Sequence, residues 1–94
     1  MLQIIQEYDA QRRREEIAKR IRTARQQFGI TQIEAAKLLG CSRIKLNRVE
    51  RGKVDVSAVE LDRLALTLRL PVSFFYTPSN EDTVLLSESA TPAY

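Results

Sequence analysis

Apolar residues return at helical intervals in four separate stretches of this chain. Ile17, Ile21, Ala24 and Phe28 are spaced four, three and four apart, so they share one helix face and are expected to turn towards a core. Ile33, Ala36 and Leu39 repeat the pattern. Leu46 and Val49 lie three apart, and Leu61, Leu64, Ala65 and Leu68 form a fourth stripe. A cluster of Val72, Phe74, Phe75 and Tyr76 follows, rich in apolar area for so few residues. Part of it must close the core. Arg12, Arg13, Arg14, Arg20 and Arg22 fall between the apolar positions of the first stretch and are expected on its wet side.

The residues between the stripes supply starts and stops. Gly29 ends the first helix near Phe28 by allowing positive φ. Thr31 caps the second, and Glu34 three residues later completes a capping box. Gly40 breaks that helix, Ser42 caps the next, and Gly52 ends it. Ser57 and Glu60 form another capping box, and the helix they start runs to about Leu68. Pro71 suits the first turn of a short fifth helix. Only Gly40 to Ser42 separate the second helix from the third. Two short helices joined by a small glycine-containing turn predict a helix-turn-helix spanning Gln32 to Gly52.

The face of the third helix opposite Leu46 and Val49 carries Ile44, Asn47, Arg48 and Arg51 at i, i+3, i+4 and i+7, with Arg43 and Lys45 beside it. This chemistry suits a DNA major groove. Arginine can donate twice to guanine, asparagine can read adenine, and an aliphatic group can touch the thymine methyl. A solvated basic face on an ordinary helical bundle has the same composition. What favours DNA is the capped two-helix frame around the stripe.

The segment resembles the lambda-repressor/Cro-like (Xre-type) helix-turn-helix family of transcriptional regulators. The likeness rests on Gly29-Ile30-Thr31-Gln32, Ala35-Ala36, Leu39-Gly40, Ser42, Glu50-Arg51-Gly52, Leu61, Leu64-Ala65 and Leu70-Pro71-Val72-Ser73-Phe74-Phe75, taken in order. It covers roughly residues 12 to 76. It implies an all-α, compact five-helix DNA-binding domain, usually acting as a dimer through its fourth and fifth helices. It also implies that Arg25 pairs with Glu50 as a structural salt bridge between the first and third helices. Gln32, in the first turn of the second helix, is implied to bond the DNA backbone. Positions 43 and 44 vary between family members and usually reach bases. Asn47 stands where serine is common. The resulting expectation assigns Arg43, Ile44, Asn47 and Arg48 to bases and Gln32, Lys45, Arg51 and Lys53 to phosphates, the first set specifying sequence and the second positioning the protein. Ile44 is either a thymine-methyl contact or an exposed aliphatic packed on a neighbour. The loop 53–56 carries Val54, Asp55 and Val56 after Lys53, which puts a second, minor-groove contact in doubt.

Charge sharpens this reading. The net is +3, but residues 1–53 hold 13 Lys/Arg against 6 Asp/Glu, a net of +7, while residues 54–94 hold 2 against 6, a net of −4. The footprint for phosphate therefore lies in the first half. Ninety-four residues allow one modest core, and no stretch approaches the roughly 20 apolar residues of a membrane span. The first residues are too short an apolar run for a signal peptide. There is no histidine and one cysteine, so no internal disulfide, no metal cluster and no nucleophile–base pair is expected, and neither a cofactor nor an enzyme activity. Cys41 is either a small turn residue or a reactive thiol.

The ends are less determined. Asp9 caps a helix starting near Ala10, or one long helix runs from about Gln3. Leu2, Ile4, Ile5 and Tyr8 either dock on a partner or fray, so residues 1–11 read as an extension or the start of the first helix. Residues 12–76 form the DNA-binding domain. Residues 77–94 read as a flexible, irregular acidic tail with a short strand possible at 83–86. The function expected is a dimeric, sequence-specific regulator, a repressor on a near-palindromic operator, acting in the cytoplasm at the nucleoid. Two other readings stand beside it. One is the DNA-binding antitoxin of a toxin–antitoxin pair, with the tail or Leu2 to Tyr8 on a protein partner. The other is a protein-interaction adaptor on the same fold.

Overall fold

A computed structural model describes residues 8–78. The expectations for Leu2, Ile4 and Ile5, for the acidic tail and for a strand at 83–86 fall outside these residues. Four α-helices follow one another: α1 (Ala10–Gln27), α2 (Gln32–Leu39), α3 (Arg43–Glu50) and α4 (Ala58–Leu68). A 3-10 segment, Val72–Tyr76, comes last. Among the described residues there is no strand.

The helix starts are set locally. Asp9 is extended, and its carboxylate accepts from the Arg12 N–H at 3.0 Å, so α1 begins at Ala10 and the reading of one helix from Gln3 gives way. Thr31 with Glu34 and Ser57 with Glu60 close complete capping boxes on α2 and α4. The turn between α2 and α3 depends on Gly40, at φ 81°. A Cβ there would lie 1.9 Å from the Arg63 guanidinium as well as straining the backbone.

α1 packs on α3 and on the 3-10 segment, while α2 packs on α3 and α4. The core they enclose contains Ile21, Ala24, Ala35, Ala36, Leu39, Leu46, Val49, Leu61, Leu64, Ala65, Leu68, Phe74 and Phe75. The two phenyl rings meet edge to face, 5.0 Å between centroids, a favourable arrangement of their quadrupoles.

Four expectations are corrected. The fifth helix is a 3-10 turn, not an α-helix, so the domain has four α-helices. Pro71 stands just outside that turn, its carbonyl accepting from Phe74 N–H at 2.9 Å. Ile33 is 54 % exposed. Repeated three-residue steps drift around a helix by about 60° each, so the buried arc of α2 centres on Ala35, Ala36 and Leu39 and leaves Ile33 behind. Phe28 is 45 % exposed. It is the C-cap of α1, past the last turn in which the stripe holds. Arg20 is not on the wet side but buried at 1 % exposure. Its neighbours at i−3 and i+4, Ile17 and Ala24, belong to the stripe, so Arg20 lies on its flank, and the 3-10 segment closes over it. There its Nε donates to the Phe74 carbonyl at 2.8 Å, and its guanidinium lies 3.6 Å from the Phe74 ring centroid.

Candidate nucleic-acid interface

α3 is fixed from behind and at its C-terminal end. Leu46 and Val49 are buried in the core, and the Ser42 hydroxyl accepts from Lys45 N–H at 3.0 Å to cap the first turn. Glu50, in the last turn, is only 3 % exposed. A carboxylate so buried is costly unless paired and hydrogen-bonded. Here Arg25 grips it with two donors, Nε at 2.8 Å from Oε2 and Nη2 at 3.1 Å from Oε1. Gln32 Nε2 donates to Oε1 at 3.1 Å, and Arg22 Nη1 donates to the Glu50 backbone carbonyl. One glutamate therefore joins α1, α2 and α3, and the planar fork of Arg25 sets its orientation as well as its charge balance.

The opposite face of α3 is open. Arg43, Ile44, Arg48 and Arg51 are exposed and Asn47 is half-buried, with Ile44 at 67 %. These five residues line one shallow groove of about 270 Å³. A second hollow of about 320 Å³ is lined by Ser42, Ile44, Lys45, Arg48 and Val54. Val54, named in the sequence only as part of the loop that puts a minor-groove contact in doubt, shares a wall with Ile44. Asp55 in the same loop accepts from Arg14 Nε at 2.8 Å, which ties the loop back to α1.

The four residues expected at phosphates are placed differently from one another. Lys53 and Arg51 are exposed. Gln32 is half-buried, with one amide N–H donated to Glu50 and the other left for a further acceptor. The Lys45 ammonium meets both oxygens of Glu60, at 3.0 and 2.9 Å. Glu60 Oε1 also accepts from Ser57 N–H at 2.9 Å as part of the α4 cap. Burial alone would push the Glu60 carboxyl up, but bonds from the Ser57 backbone and from Lys45 outweigh it and hold it below its ordinary value. The same hydrogen bond raises Lys45. Cys41, half-buried in the turn, is raised first by burial and then by the Glu60 charge. That shift favours the thiol over the reactive thiolate.

Among the described residues no helix is long and apolar enough to cross a membrane. A family profile described as "Helix-turn-helix domain" matches residues 16–73. The chain belongs to the helix-turn-helix domain family. The helix-turn-helix fold recurs in solved structures of Xre-type and related regulators. A hypothetical transcription factor, NHTF, from Neisseria is 25 % identical, with a TM-score of 0.69, over 86 % of this chain and 93 % of that one. The restriction-modification controller protein C.AhdI from Aeromonas hydrophila is 30 % identical, with a TM-score of 0.62, over 67 % of this chain and 96 % of its own. An HTH_3 family transcriptional regulator from Vibrio cholerae is 26 % identical, with a TM-score of 0.67, over 85 % of this chain but only 44 % of that longer one. No curated protein matches the chain by sequence.

Proposed function

We propose that this helix-turn-helix protein is a sequence-specific DNA-binding transcriptional regulator, a homodimeric repressor that reads a near-palindromic operator with α3 in the major groove. The observation that carries the reading is the open stripe of Arg43, Ile44, Asn47, Arg48 and Arg51 on a helix whose other side is locked by Leu46, Val49 and Glu50. A recognition element has to be both presented and held, and α3 is both. Arg43 and Arg48 donate to base edges, Asn47 suits adenine, and Ile44 meets a thymine methyl. Gln32, Arg51 and Lys53 position the protein on phosphates. Lys45 joins that set only by giving up its two bonds to Glu60. A two-fold dimer would read half-sites about 10 base pairs apart, one helical turn, centre to centre.

Binding-site selection from random duplex DNA tests this directly, with Arg48→Ala run in parallel. The wild type recovers a palindrome. The variant loses about 1–3 kcal/mol on it and relaxes one position of each half-site. Recovery of sequence-blind binding alone, unchanged by Arg48→Ala, sinks the reading and leaves a generic phosphate surface or an adaptor.

A further inference from the structure

We infer that Glu60 is a positioning residue that withholds Lys45 from the DNA backbone and so restrains sequence-blind affinity. The inference rests on the DNA-binding reading and deepens it. Three observations support it. Lys45 is in the first turn of α3, next to Ile44 and beside the open stripe, and lines the same hollow as Ile44 and Arg48. An ammonium there would ordinarily be a phosphate contact. Instead both Glu60 oxygens accept from its Nζ. Glu60 is itself held still, because its Oε1 accepts from the Ser57 N–H and its own N–H donates to the Ser57 hydroxyl at 3.0 Å.

The other capping box of the domain shows that this arrangement is not required by capping. Glu34 closes the box on α2 through Thr31, with no lysine in its grip. On α4 the same motif also immobilises a cation of the recognition helix. A carboxylate 2.9 Å from the ammonium competes with any phosphate for that charge. The consequence is sequence-blind. Phosphate contacts are common to every duplex, whereas base contacts are made only at the operator. Withholding one phosphate contact therefore lowers affinity for every duplex by about the same factor and reduces its salt dependence.

Glu60→Gln separates the two jobs of this residue, since glutamine closes the same capping box but lacks the charge. Affinity for a random-sequence duplex would be measured from 50 to 200 mM salt for wild type, Glu60→Gln, Lys45→Ala and the double variant, after thermal melts establish that each is folded. Glu60→Gln is expected to bind the random duplex more tightly at 50 mM. Its log–log salt dependence steepens by about 0.9, the release of one further counterion, so its advantage shrinks about threefold by 200 mM. In the Lys45→Ala background the same change produces no such gain. An unchanged salt slope in Glu60→Gln overturns the inference, as does an equal gain without Lys45, which would mean that Glu60 acts through its own charge. A wild-type chain that holds no duplex even at 50 mM overturns the DNA-binding reading itself, and the two failures are told apart by that arm.

Discussion

Arg25 and Arg20 stand on the same helix, and each crosses to a different element. Arg25 reaches a carboxylate, Glu50, at the end of α3. Arg20 lies on the Phe74 ring and donates to the Phe74 carbonyl in the 3-10 segment. The first anchor is a fork matched to an acid that also receives Gln32. The second lays a guanidinium against an aromatic face and a backbone oxygen. Their consequences differ. The Glu50 anchor fixes the helix that presents the exposed stripe proposed to read DNA. The Arg20 anchor fixes the segment that closes the core on the other side of α1. A cation buried on this helix therefore serves one of two ends, geometry of the interface or closure of the domain, according to what it meets.

The largest way to break this comparison is at Glu50. Glu50→Ala leaves Arg25 facing the interior without its carboxylate and removes the acceptor of Gln32. Loss of one partner of a buried pair costs about 3–5 kcal/mol, a large part of the stability of a small domain. Chemical denaturation should show that drop in the midpoint. DNA affinity should fall further than the unfolded fraction explains, because α3 loses its tie to α1 and α2. A melting curve that matched wild type would remove Glu50 from its central place.

Arg20 is the sharper test, because it should separate stability from binding. Arg20→Met keeps much of the packing volume and removes the donor and the cation. The Phe74 carbonyl loses a partner, at about 1–3 kcal/mol, and the cation–π contact goes with it, at about 2 kcal/mol for a desolvated site. Since these two contacts share one side chain and methionine repacks against the ring, their loss should cost about 2 kcal/mol or more by denaturant titration. At a temperature where the variant is fully folded, its affinity for the selected operator should match wild type. A drop in affinity of the folded protein would mean that the two anchors are coupled through α1.

The contrast also explains what could be read from the chain alone. Helix starts were legible because caps are local: Thr31 with Glu34, Ser57 with Glu60 and Ser42 with the Lys45 N–H all act within three residues. The stripe on α3 was legible because helical periodicity decides which residues share a face. Arg25 with Glu50 was expected through resemblance and not through any pattern in the residues. Arg20 was misplaced because the Phe74 carbonyl it meets is 54 residues away. A helix wheel marks a position on the flank of the apolar stripe as neither in nor out. Only docking of the 3-10 segment decides it. The meeting of Lys45 with Glu60 was missed for the same reason. Each residue had a local role, as a stripe neighbour and as a cap, and neither role hints at the other. Ile33 failed differently, through a three-residue repeat that drifts off the buried arc.

The smallest effect adds a third cross-link to the comparison, one set apart by its response to pH. Glu60 is held below its ordinary value of 4.5, so its contribution is complete above that value and is lost as pH falls through the lower, folded-state value. Lys45 is raised above its ordinary 10.5, so its contribution is complete below that value and is lost as pH rises through the higher, folded-state one. The link should therefore contribute fully across the interval between 4.5 and 10.5 and weaken progressively beyond either end. Melting temperatures of wild type and Glu60→Gln, followed across pH, should differ by a constant amount inside that window and converge below it as Glu60 protonates. The difference should be smaller than at either arginine anchor, because the pair lies at the surface where water and salt screen it. A gap that persisted undiminished into strong acid would show that glutamine disturbs the α4 cap itself. The stability at stake would then belong to Ser57 and not to the tie between α3 and α4.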